Sequence, residues 1–76
     1  MTVNRFLEIN RRIRGIAEGM QNRRLLELFE DLEGDMELKE GPTNEFVAIV
    51  TPMGFDEAEI REFLLEYVGM VVGAMV

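Results

Sequence analysis

The side chains of this chain that titrate or carry a hydroxyl are fifteen carboxylates, seven arginines, Lys39, Tyr67 and three threonines. Histidine, cysteine, serine and tryptophan do not occur in the 76 residues. The usual nucleophile–base arrangements need Ser, Cys or His, so triad chemistry is excluded. Thiolate and imidazole metal sites go with it, and so does a disulfide. What remains is carboxylate chemistry and recognition by arginine.

The carboxylates fall into three patterns. Glu27/Glu30, Glu30/Glu33 and Glu59/Glu62 stand three apart, which places each pair on one helix face. Di-iron bundles combine such glutamates with Glu-x-x-His pairs, and there is no histidine here. Asp31, Glu33, Asp35 and Glu37 alternate like the start of a calcium loop. The loop pattern then fails: glycine falls at the fourth position instead of the sixth, and the twelfth is Pro42. The run reads as a solvated helix end passing into an edge strand whose charges discourage aggregation. A carboxylate working as acid or base needs an apolar cleft to raise its pKa. Glu66, with apolar residues on both sides in the chain, is the one candidate, and a helix-face position beside a buried patch explains it without catalysis. No catalytic residue, metal ligand or cofactor is expected, and the chain is not expected to be an enzyme.

The arginines are concentrated. Arg5, Arg11, Arg12, Arg14, Arg23 and Arg24 face only Glu8 and Glu18 within residues 1–24, a balance of +4. Residues 25–76 set Lys39 and Arg61 against thirteen acids, a balance of −11. The guanidinium fork suits phosphate, so the six N-terminal arginines form a candidate phosphate-binding set. A net charge of −7, a pI near 4.4 and the lack of aromatics between the arginines weigh against nucleic acid. Anionic lipid would be repelled by the same acidic body. The plain alternative is that the basic segment pairs with acidic elements of its own or a neighbouring subunit. The thirteen acids also admit a mimic of DNA that occupies a DNA-binding protein's site, though solubility alone accounts for them.

Hydrophobic spacing then sets the elements. Val3, Phe6, Ile9, Ile13, Ile16 and Met20 make one helical stripe, so a helix is expected over about 3–18, capped by Thr2 or Asn4. Leu25, Leu28, Phe29 and Leu32 predict a second helix over about 22–33, with Asn22 as N-cap and Gly34 as the left-handed residue beyond its end. Residues 35–40 alternate, with Met36 and Leu38 on one side; Gly41-Pro42-Thr43-Asn44 reads as a turn; Phe46–Val50 is a continuous apolar, mostly β-branched run. Together they predict a β-hairpin over about 35–51, stopped by Pro52 and Gly54. Asp56 as N-cap, Glu59 three later, and Phe55 with Ile60 as a hydrophobic staple predict a helix over about 56–70.

That last helix runs into a tail with no charge after Glu66. Gly69 and Gly73 stand four apart, a spacing that lets a second backbone approach. The tail continues the helix or forms a short strand or core plug. Its longest apolar run, Tyr67–Val76, is ten residues, too short for a membrane span. No secretory signal is visible in MTVNRFLEINRRIR, which points to a cytoplasmic protein.

The expectation is one small α+β domain over 1–76, ordered α-α-β-β-α, with the hairpin packed on the helices. A chain of this size buries only about 60% of its unfolded surface, and without a disulfide or metal staple oligomerisation is the remaining device. A homodimer or larger assembly is therefore expected, with a contact drawn from Phe46, Ala48, Val50, Tyr67, Gly69, Met70, Val72 and Gly73. The expected role is that of a non-catalytic protein–protein interaction or regulatory module with a further, unidentified protein partner. The alternatives are a nucleic-acid-binding regulator using the Arg-rich helix and an acidic DNA mimic.

Overall fold

Of the four α-helices among the described residues, three begin on a side-chain cap. In the computed structural model, which describes residues 1–35 and 37–74, these helices are α1 (Val3–Gly19), α2 (Arg23–Asp35), α3 (Glu40–Val50) and α4 (Glu57–Ala74). Thr2 Oγ1 accepts from the Arg5 N–H at 3.1 Å, Asn22 Oδ1 from Leu25 at 3.1 Å, and Asp56 Oδ2 from Glu59 at 3.0 Å. Each cap satisfies one of the amide donors that a helix start leaves unpaired. Gln21 turns the chain between α1 and α2 through a positive φ of 50°.

The fold class differs from the α+β expectation. No strand occurs among the described residues, and the predicted hairpin is replaced by α3. The reason lies in how the apolar run is covered. Thr43, Phe46, Val47 and Val50 are buried, and Ala48 is exposed. Their spacing of 3, 4 and 7 is a helical stripe that begins at Thr43, inside the segment expected to be a turn. A short continuous apolar run fits a buried strand or a buried helix equally by period, and β-branching tipped the expectation to strand. Burial on one helical face overrides that propensity. Gly41 and Pro42 do not block the helix because they fall in its first turn, where the proline's missing N–H has no intrahelical partner to lose. Thr43 Oγ1 donates to the Lys39 carbonyl at 2.6 Å and ties that turn down. Met36, expected to point inward from the first strand, lies outside the described residues.

Two boundaries also move. Gly34 does not end α2 in the left-handed region: the helix runs through it to Asp35, and the single positive-φ glycine described is Gly54 at 103°. Gly54 closes a short 3-10 turn, Thr51–Met53, and its N–H donates to the Thr51 carbonyl at 3.1 Å. The second move is in the tail. α4 continues past Gly69 and Gly73 to Ala74, so the strand or plug alternative is set aside through that residue; Met75 and Val76 lie outside the described residues.

The core is one cluster fed by all four helices. Ile9, Ile13, Leu25, Val50, Ile60, Phe63 and Leu64 have no measurable exposure. α2 packs on α1, α3 and α4, and α3 packs back on α4 as an α-hairpin. Phe55 is buried just before α4 and Ile60 one turn in, as a hydrophobic staple requires. Glu59 does not complete the capping box. Its carboxylate accepts from Arg5 of α1 instead. No described helix is long and apolar enough to cross a membrane.

The two glycines give opposite expectations. Neither has a neighbour within 4 Å of an added Cβ. Gly34→Ala, inside a helix, should stabilise the chain by about 0.5–1 kcal/mol. Gly54→Ala, at φ 103°, should destabilise it by about 1 kcal/mol. Urea unfolding of the two variants measures both signs; a destabilised Gly34→Ala would restore the helix end expected from the sequence.

Candidate functional site

The six N-terminal arginines do not converge. Arg5 is bonded to Glu59 and pairs with Glu8 at 3.2 Å, joining α1 to the start of α4. Arg24 is held by Glu45 and Glu27, joining α2 to α3. The Glu45 carboxyl is lowered from its ordinary range by the hydrogen bond from Arg24. The Arg12 guanidinium lies over the Phe55 ring, 4.7 Å from its centre. Arg11 and Arg23 are exposed, and no ion pair holds either among the described residues. The basic segment therefore spends Arg5, Arg14 and Arg24 on the chain's own acids.

Arg14 is the most committed. Its guanidinium stacks over Phe29 at 4.3 Å and near Tyr67 at 5.6 Å. Nε donates to Asn10 Oδ1 at 3.2 Å, and Nη2 donates to the Tyr67 hydroxyl and, at 3.3 Å, to Glu33. The Tyr67 hydroxyl in turn donates to Glu33. A buried phenol must find partners, and here a cation and a carboxylate supply both sides. Burial pushes the Tyr67 hydroxyl up from 10.0 to about 12; the bond to Glu33 adds to the rise and Arg14 opposes it. This network binds α1, α2 and α4 together, with the Glu33 carboxylate half exposed at its edge.

The expected contact residues divide between inside and outside. Phe46, Val50 and Tyr67 are buried in the chain's own core, so no surface is available from them. Ala48 is exposed on the outer side of α3. Gly69, Met70, Val72 and Gly73 are exposed on the last turns of α4, with Met70 at 58%. Sequence reasoning missed what accompanies them. Leu7 is half exposed, at 52%, and Val3, placed on the core stripe from its spacing, is 74% exposed. The signal for Leu7 was present: it is a large apolar residue off the stripe formed by Phe6, Ile9 and Ile13.

Val3 and Leu7 from α1 and Gly69 and Met70 from α4 line an open groove of about 350 Å³ with Phe6 at its base. The two helices meet there through the Phe6 and Phe63 rings, whose centres are 5.0 Å apart. Glu66 stands on the groove wall. Its Oε1 lies 3.9 Å from the Met1 ammonium, and its Oε2 is buried with no hydrogen-bond donor among the described residues. The Met1 ammonium is bonded mainly to Glu62, which raises its pKa. Leu65, 61% exposed, extends the apolar surface along α4. The groove offers apolar contact and one carboxylate, which is an arrangement for binding.

Comparison with models of protein families, with curated proteins and with solved structures found no match for this chain.

The chain has one tyrosine and no tryptophan, so its ultraviolet titration reports Tyr67 alone. The phenol of the folded protein should ionise near pH 12. Because the folded value is raised, the stabilisation is complete below pH 10 and is lost as pH climbs toward 12, to a limit of about 2–3 kcal/mol. A midpoint at pH 10 in chain that remains helical by circular dichroism would show the hydroxyl exposed to solvent rather than buried against Glu33.

Proposed function

We propose that this chain is a small acidic, non-catalytic interaction or regulatory module that works as a homo-oligomer. The contact is the face formed by the start of α1 and the second half of α4. One observation carries the reading: of the six exposed large apolar side chains described, Val3, Leu7 and Met70 line one groove and Leu65 and Val72 lie on the same half of α4, while Met20 stands apart at the far end of α1. Single exposed apolar residues need no explanation, but a contiguous group around a groove marks an interaction site. Gly69 and Gly73 on the same stretch remove side-chain bulk and let a second helix come close.

The acidic charge supports the rest of the reading. At a net −7 two copies repel over most of their surface, and the contact has to form where acids are few. The end of α4 beyond Glu66 has none. A standard contact takes about 800 Å² from each partner, roughly a sixth of the 4757 Å² exposed here.

Light scattering after size exclusion at micromolar concentration should give at least a dimer. Met70→Asp should return a monomer whose stability lies within about 0.5 kcal/mol of the parent, because the side chain is exposed in the folded chain. Ala48→Asp, on the outer side of α3, should leave assembly unchanged. A parent chain that is monomeric across this range contradicts the proposal.

A further inference from the structure

We infer that the groove beside Glu66 receives Arg11 of a second copy, in a two-fold contact where α1 packs antiparallel on α1. The inference rests on the self-association proposed above and names what fills the groove.

Glu66 supplies the acceptor. Its side chain is 38% exposed on the wall of a groove that is otherwise mostly apolar, its Oε2 has no donor among the described residues, and its Oε1 lies 3.9 Å from a Met1 ammonium that is bonded to Glu62. A carboxylate held this weakly on an apolar wall can turn outward to a cationic donor from a second chain.

Arg11 supplies the donor. Arg5, Arg14, Arg24 and Arg61 are each paired with a glutamate of this chain, and Arg12 stacks on Phe55. Arg11 and Arg23 are left, both exposed and without an ion pair among the described residues. Arg23 begins α2, away from the groove. Arg11 lies on the groove's own helix, and Val3, Leu7 and Arg11 are spaced four apart, one exposed stripe along α1.

Helix geometry supplies the register. Residues four apart rise about 6 Å along the axis. A two-fold axis at Leu7 sets Leu7 against its own copy, and then Arg11 lies opposite Val3. Val3 lines the groove that Glu66 walls. Each Arg11 therefore enters the other copy's groove with its stem along Val3 and Leu7 and its guanidinium at Glu66. An isologous contact makes this pair twice. It also places the basic segment at the one surface where two chains of net −7 must meet. A cationic helix of another protein, or a cationic amphiphile, would suit the same groove but would not require Arg11.

The test is a charge exchange read by sedimentation equilibrium on the full chain. Arg11→Glu and Glu66→Arg alone should each raise the dimer Kd by at least about tenfold, and the double variant should return it to within about threefold of the parent. Salt should weaken the parent dimer and the double variant alike. Arg11 is exposed, so Arg11→Glu reads the contact without disturbing the core, and recovery in the double variant shows that Glu66→Arg still folds. A parent dimer indifferent to Arg11→Glu, or a double variant no better than the singles, overturns the Arg11–Glu66 pairing and leaves self-association through the face standing. A parent chain that stays monomeric overturns both.

Discussion

A single chain of aromatic rings runs through all four helices, and the rest of the structure is arranged around it. Phe6 of α1 meets Phe63 of α4 at 5.0 Å, Phe63 meets Tyr67 at 5.9 Å, Tyr67 meets Phe29 of α2 at 5.6 Å, and Phe29 meets Phe46 of α3 edge-on at 5.3 Å. Aromatic pairs at these spacings contribute roughly 0.5–1.5 kcal/mol each beyond the area they bury. In a chain without cysteine, and so without a disulfide, this contact sequence joins the four helices. It also explains Arg14. Its guanidinium covers the outer face of Phe29, and its nitrogens satisfy the hydroxyl that Tyr67 brings into the cluster. The sixth ring, Phe55, lies apart and is covered by Arg12.

The same constraint separates what was legible in the sequence from what was not. Helix starts were legible because each is a local device: Thr2, Asn22 and Asp56 cap through their own side chains within three residues. The stripes of α1 and α2 were legible in their middles, because Phe6, Ile9 and Ile13, and Leu25, Leu28, Phe29 and Leu32, recur on one face and are buried; Val3 and Met20, counted at the two ends of the first stripe, are exposed. Residues 46–50 were misread because a run apolar at nearly every position has no period of its own. It is Phe29, seventeen residues earlier, that decides which face of the run is inward, and that contact is invisible to spacing. Gly34 was misread for a related reason: glycine permits a helix end without imposing one, and α2 continues through it to Asp35.

The candidate site was half legible. The uncharged stretch after Glu66 pointed to Gly69, Met70, Val72 and Gly73, and these are exposed. Its α1 half was hidden because Val3 fits the core stripe by spacing while lying beyond the reach of the neighbouring helices. The arginines were misjudged by proximity in sequence. Spread around α1 and the start of α2, they reach different acids: Glu59, Glu33 and Glu45. Exposed pairs of this kind contribute little stability each. Their larger consequence is that Arg5, Arg14 and Arg24 are engaged by the chain's own acids, while Arg11, Arg12 and Arg23 stay exposed without an ion pair among the described residues.

The proposed contact between copies of the chain lies in this groove. Isotope-filtered nuclear Overhauser spectroscopy on an equal mixture of labelled and unlabelled chain tests it most directly. Contact through the groove predicts intermolecular effects between the Leu7 methyls of the two copies and between Arg11 and Val3. Intermolecular effects confined to the outer side of α3 around Ala48, or none at a concentration where light scattering shows a dimer, would contradict it.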